Sequence, residues 1–115
     1  MLRDSLYSIL QSNQDWYVIR FDASHPIFFG HFPEHPIVPG ACLVQIAEEL
    51  AAITYGHSVC FMAIRDLKFR QPITPDQVIA ISIRQITELT CKVLCVDSMN
   101  NQQLILSFNV QIIVP

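Results

Sequence analysis

Residues 25–50 read HPIFFGHFPEHPIVPGACLVQIAEEL. The first half of this stretch holds three of the chain's four histidines and four of its seven prolines, and no proline follows Pro39 in the second half. Pro39 suits the first position of a helix, where its missing N–H would have no partner and its fixed φ already matches. Beyond it Leu43, Ile46, Ala47, Leu50 and Ile53 recur at the spacing of one helical face, until Gly56 offers a C-terminal stop. The spacing predicts a helix over residues 39–55, about 25 Å long at 1.5 Å per residue. A proline-stiffened loop feeding such a helix is a good mount for a catalytic histidine.

One side of this helix is not apolar. At about 100° per residue Gln45, Glu48 and Glu49 fall within roughly a 100° arc, and Ala41 and Ala52 extend the stripe. Two readings stay open: a solvated face, or a polar stripe that lines a site.

Outward from the helix the pattern changes. Upstream, Leu2, Leu6, Ile9 and Leu10 share one side of residues 2–10, which predicts a short amphipathic helix. Residues 15–22 (DWYVIRFD) are rich in β-branched and aromatic side chains and predict a strand. After Gly56 the period falls to two. Residues 59–69 set Phe61, Ala63, Leu67 and Phe69 on one face, and residues 77–89 alternate Ile79, Ile81 and Ile83 with Ala80, Ser82 and Arg84. Residues 90–97 form another strand, 98–102 (SMNNQ) a hairpin connection, and 103–114 a last strand alternating Leu104, Leu106, Phe108, Val110, Ile112 and Val114 with more polar neighbours. Pro72 and Pro75 break the ladder before residue 77. One long helix among antiparallel strands is an α+β layer arrangement, with the helix buried on the concave side of the sheet.

The 115 residues predict a single domain, 1–115. Hydrophobic residues are 51% and charged ones 15%, more apolar than an average soluble domain, so some apolar surface is expected to be covered by another subunit. No run of about 18 apolar residues occurs and the N-terminus lacks the apolar stretch of a signal peptide, so a soluble, cytoplasmic chain with no membrane partner is expected. The net charge is −3 with no basic block, which argues against nucleic acid. Cys42, Cys60, Cys91 and Cys95 form no CxxC pair and predict free, mostly buried thiols. His25, His31 and His35 find no acidic or cysteine ligand at a convincing spacing, so no metal is expected.

His31-Phe32-Pro33, then Pro36, Pro39 and Gly40, in HFPEHPIVPG, resemble the H-F-P-x-x-P-x-x-P-G signature of the β-hydroxyacyl-(acyl-carrier-protein) dehydratases, which are hotdog-fold thioester dehydratases of fatty-acid synthesis. Residues 67–77 (LKFRQPITPDQ) are similar to that family's K-F-R-x-P-x-x-P-G-D strand entry, with Asp76 where glycine or aspartate would fall. The resemblance covers the chain from about Ser24 onward. It implies a hotdog domain, a long central helix wrapped by a curved antiparallel sheet. It also implies a homodimer or higher homo-oligomer with shared active sites, and a substrate carried on acyl carrier protein or another pantetheine thioester. No cofactor is implied. The signature histidine falls on His31, the glycine whose N–H meets the thioester carbonyl on Gly40, and the family's helix carboxylate, supplied by the other subunit, on position 45.

Such a dehydration removes a proton from C2, next to a carbonyl, and protonates the departing C3 hydroxyl. A histidine titrating near neutrality can serve as base, and an N–H at a positive helix end stabilises the enolate-like charge. Position 45, however, is Gln45. An amide donates and accepts hydrogen bonds but does not exchange a proton near neutral pH. Three explanations stand side by side. Glu48 or Glu49, one turn further on, supplies the carboxylate; or Gln45 places a water for thioester hydrolysis; or the chain is a catalytically weak acyl-binding or partner subunit. Lys68 and Arg70 alternate onto one strand face, with Arg65 on the other, and are the candidates for docking an acidic carrier. His25 is expected to cap or pack its loop, His57 to be exposed and His35 to be structural. Phe28, Phe29 and Phe32 read equally as core or tunnel wall.

Overall fold

Helix α1 (Gly40–Tyr55) starts and stops on local chemistry. Pro39, expected at the first helical position, is instead its N-cap, at φ −60° and ψ 143°, so the helix begins one residue later. Gly56 ends it in the left-handed conformation at φ 80°, its N–H donating to the Ala52 carbonyl at 2.9 Å. The buried face is Leu43, Ile46, Ala47, Leu50 and Ala51. Ile53, expected on that face, is 43% exposed, because it lies at the margin of the stripe, where Ala51 takes the inner position.

The computed structural model describes residues 1–30 and 34–115. Six antiparallel strands accompany the helix: β1 (Tyr7–Asn13), β2 (Trp16–Phe21), β3 (Cys60–Phe69), β4 (Val78–Thr87), β5 (Thr90–Asp97) and β6 (Gln103–Ile113). They form one curved sheet in the order β1-β2-β4-β5-β6-β3. The core lies between α1 and the concave face, where Ile81 and Ile83 of β4 stand opposite Cys95 and Val93 of β5, with Ile79 beside them, and Phe108 and Val110 of β6 continue the rows. This is the expected α+β arrangement.

Residues 2–10 are not a helix. Only one turn forms, with the Leu6 N–H donating to the Leu2 carbonyl at 2.8 Å, and from Tyr7 the chain runs as β1 against β2 through a tight turn at Gln14 (φ 52°). The helical spacing of Leu2, Leu6 and Ile9 was real, but the unpaired flank of β2 offers this segment a full ladder of backbone bonds. Tertiary pairing outweighs a short amphipathic pattern.

Strand β3 also departs from expectation. It is an edge strand, and Met62, Ile64, Leu67 and Phe69 are between 39% and 56% exposed rather than half-buried on one face. Register shifts at Phe61/Ala63 and Arg65/Lys68 break its alternation: Phe61 pairs with Ile112, Ala63 with Gln111, Arg65 with Asn109 and Lys68 with Ser107. Each shift leaves an unpaired residue in β3 and turns the following side chains to the other face. The β5–β6 connection turns through Asn101 (φ 54°), as its composition led us to expect, and Gln102 (φ 56°).

Candidate functional site

The approach to α1 is pinned at several points. Asp22 accepts from the Ser24 N–H at 3.0 Å and hydroxyl at 2.6 Å, and these bonds hold its carboxyl below the usual range. The His25 Nδ1 accepts from the Ile27 N–H at 3.1 Å and caps a 3-10 turn over Pro26–Phe28. Phe28 is core and Phe29 is 66% exposed. His31, Phe32 and Pro33, and with them the expected base, lie outside the described residues. His35 beyond them is exposed, and the Val38 N–H then donates to the Ile73 carbonyl at 2.8 Å, tying the start of the helix to the β3–β4 connection.

Gly40 opens α1 at its positive end. The proline cap brings no side-chain acceptor, and among the described residues a Cβ at Gly40 would meet no atom within 4 Å. The geometry therefore leaves the first turn open to an approaching acceptor such as a carbonyl oxygen.

The polar stripe resolves into two separate carboxylates. Glu48 accepts the Phe61 N–H at 2.8 Å through Oε2, at the first irregularity of β3. Glu49 gathers four donors. Its Oε2 accepts the Leu2 N–H at 2.7 Å and the Gln45 Nε2 at 3.3 Å, and its Oε1 accepts the Arg3 N–H at 3.0 Å and the Tyr7 hydroxyl at 2.9 Å. Burial, then the Glu49 bond and charge, hold the Tyr7 phenol well above its usual range, so it stays a donor. Gln45 itself is exposed. Beside this cluster an apolar groove of about 420 Å³ runs along α1, lined by Met1, Glu49, Ala52, Ile53, His57 and Val59 among others. His57 is exposed, as anticipated.

The cation pair expected on β3 is regrouped. Because of the shift after Arg65, that residue points to the same outer face as Lys68, not to the opposite one. The register carries the row across the sheet: Arg65 stands opposite Asn109, Asn109 opposite Lys92, and Lys92 opposite Arg84. Asp66 is tied to this row by the Asn109 amide, which donates to it at 2.9 Å. Arg65, Lys68, Lys92 and Arg84 thus cluster on one face beside Asp66, a local excess of positive charge in a chain of net −3. Arg70 lies just beyond the end of β3, exposed, its N–H donating to the Ile105 carbonyl at 2.8 Å. Sequence reasoning missed Arg84 and Lys92, although the two-residue turn implied by their positions either side of Glu88-Leu89 was a usable signal.

All four cysteines are free. Cys91 and Cys95 are buried, which pushes their thiols up to about 11 and about 12, whereas Cys42 and Cys60 are only half-buried. Among the described residues no group of three or more His, Cys, Asp or Glu could hold a metal ion, and no helix is long and apolar enough to cross a membrane.

Comparison with known proteins places these features in a family context. The family model described as ApeI-like, ApeI dehydratase, matches residues 10–107. The 3-hydroxyacyl-[acyl-carrier-protein] dehydratase FabZ of Ehrlichia ruminantium (strain Welgevonden) is 31% identical over 83 residues, 63% of this chain and 57% of that protein. FabZ of Ehrlichia canis (strain Jake) is 32% identical over 90 residues, 68% of this chain and 61% of that protein. The chain thus spans about three fifths of the length of these curated relatives. Among solved structures, an uncharacterized protein from Erwinia carotovora subsp. atroseptica superposes with a TM-score of 0.70 at 16% identity, covering 94% of this chain and 92% of that one. The dehydratase heterocomplex ApeI:P from Xenorhabdus doucetiae gives 0.66 at 20% identity, covering 89% and 90%. A hypothetical thioesterase with coenzyme A from Streptococcus pneumoniae TIGR4 gives 0.62 at 13% identity, covering 95% and 85%. These structural likenesses establish the hotdog fold.

Proposed function

The chain belongs to the ApeI-like dehydratase family, and from that premise we propose that it catalyses reversible dehydration of a 3-hydroxyacyl thioester, acting as one hotdog domain over residues 1–115. The observation that carries the reading is Gly40 at the mouth of α1, open to a carbonyl and without a side-chain cap. The Gly40 N–H takes the thioester oxygen and stabilises the negative charge that builds there when C2 loses its proton. His31 is the base for that proton. Gln45 holds the C3 hydroxyl, and Glu48, whose second oxygen has no hydrogen-bond partner among the described residues, supplies the proton with which the hydroxyl leaves as water.

The substrate arrives on acyl carrier protein or another pantetheine arm. FabZ relatives act on carrier-borne 3-hydroxyacyl groups by name, and an acidic carrier suits the outer face of Arg65, Lys68, Lys92 and Arg84, with Arg70 at its margin. The working unit is a homodimer or higher homo-oligomer joined along β3, whose exposed Met62, Ile64, Leu67 and Phe69 give an edge that a second copy can cover. Pairing through that edge meets the surplus of apolar residues in the composition.

A second reading, thioester hydrolysis, is favoured by one residue: an amide at position 45 orients water without having to titrate. Enoyl-thioester absorbance, followed together with release of free thiol from a short-chain pantetheine substrate, separates the two. Enoyl signal lost in the hydration direction without thiol, and abolished in His31→Ala, is the expected result. Thiol release that depends on His31 moves the assignment to a thioesterase. Neither signal, with acyl-carrier binding intact, makes the chain a binding or partner subunit. Glu48→Gln keeps the acceptor for the Phe61 N–H, so loss of turnover in a folded variant supports Glu48 as the acid, and full turnover transfers that step to the His31 imidazolium.

A further inference from the structure

Glu49 is the most heavily engaged side chain of the polar stripe on α1. A carboxylate has about four acceptor positions, and all four are taken by the Leu2 and Arg3 N–H groups, the Tyr7 hydroxyl and the Gln45 amide. Only the nitrogen of an amide can face a carboxylate, so this contact also decides which way Gln45 is turned. With Nε2 committed to Glu49 at 3.3 Å, Oε1 is the outward atom.

Resting on the dehydratase reading above, we propose that Glu49 is a positioning residue: it locks the Gln45 amide so that Oε1 stands as a fixed acceptor for the substrate's C3 hydroxyl. Left alone, an exposed glutamine samples many rotamers and both amide orientations, and presents donor and acceptor in turn. The helix spacing of four residues brings the two side chains onto one face. The N-terminal segment supplies the anchor on the far side, since the Leu2 and Arg3 N–H groups hold the carboxylate while Tyr7 buttresses it from β1. The strand that replaces the expected N-terminal helix therefore acts on the site through this carboxylate. The same saturation leaves Glu49 no oxygen with which to act as an acid itself.

The arrangement also accounts for an amide where the family resemblance calls for a carboxylate. A glutamate at position 45 would face the Glu49 carboxylate across one helical turn, and like charges at that spacing repel. Glu49 and a carboxylate at 45 are alternatives in this scaffold.

A double-mutant cycle tests the proposal. Gln45→Ala and Glu49→Ala are each expected to lower kcat about tenfold to a hundredfold, the range of one hydrogen bond involving a charged partner, with little change in KM. The double variant is expected to fall no further than either single one, because Glu49 acts through Gln45. A Glu49 that only stabilises the fold would give losses that multiply, and that result overturns the proposal. Gln45→Glu is expected to lose turnover, and a gain overturns it. An activity-independent reading is the side-chain amide NMR signal of Gln45. A single, shifted pair of proton resonances in the parent protein should collapse to the free-amide position in Glu49→Ala. If that pair does not move, the lock does not exist, whatever the enzyme assay shows. If the parent protein turns over no thioester while the pair moves as expected, the dehydratase reading fails and the lock stands as a feature of the molecule.

Discussion

At the scale of single residues, Gly40 separates binding chemistry from stability. Among the described residues no atom lies within 4 Å of its missing Cβ, and alanine is the better helix former by about 1 kcal/mol. Gly40→Ala is therefore expected to keep or slightly raise the thermal midpoint, while its methyl group obstructs the thioester and kcat/KM falls at least tenfold. A melting curve beside an initial-rate assay checks both halves. The cysteines divide in the same way. Half-buried Cys60 and Cys42 should react with a maleimide in the folded protein, whereas Cys91 and Cys95 should label only after unfolding, as peptide mapping would show. The thiols also set an alkaline limit. Their folded pKa values, about 11 and about 12, lie above the unfolded value of 9.0, so the unfolded chain loses protons first. Their contribution to stability is complete below about pH 9 and is lost as pH rises towards the folded values. Denaturant titrations between pH 8 and pH 10.5 should show stability falling, with a shallower fall in Cys95→Ala than in the parent.

At the scale of elements, α1 illustrates how local signals terminate a helix. Gly56 sits at φ 80°, and no atom of the described residues crowds its Cβ position, so Gly56→Ala isolates the backbone cost of the left-handed conformation. The expected loss is about 1 kcal/mol with activity retained, measured by urea denaturation at constant m. The irregularities of β3 are the counterpart among strands. Asp66 at φ 55° lies in the shift that sends Arg65 to the outer face, and Asn109 of the neighbouring strand donates to it at 2.9 Å. The alternation of residues 59–69 taken alone put Arg65 on the wrong side and Ala63 on the same face as Phe61. Extra residues of this kind have no reliable local signature, because they depend on what the partner strand offers.

At the scale of the whole molecule, the sheet has two edges, β1 and β3, and the exposed apolar side chains of β3 are the larger uncovered surface. Replacing Ile64 and Phe69 by lysine should convert an oligomer into a monomer in sedimentation or light scattering, with turnover lost if the sites are shared between copies. An unchanged mass would move the interface elsewhere. The outer cation face belongs to this scale as well, since it exists only where four strands lie in register.

The sequence by itself determined the helix, to within one residue at its start, its stop at Gly56, strands β2, β4, β5 and β6, the α+β class and the resemblance that the family match bears out. These rest on periodicity, on proline and glycine geometry and on a motif, all of which act within a few residues. It also singled out Gly40, Gln45, Glu48 and Glu49 as one end and one stripe of that helix. Only the tertiary structure decided that residues 7–13 are a strand, that β3 is an irregular edge, that Glu48 serves β3 while Glu49 serves the N-terminal segment, and that Arg65 joins Lys68, Lys92 and Arg84. Each of these depends on partners 13 to 47 residues away for the two carboxylates, or on another strand for the others. A short segment with two nearly equal local preferences takes the one whose backbone and charged groups find partners, and those partners are known only once the chain has folded.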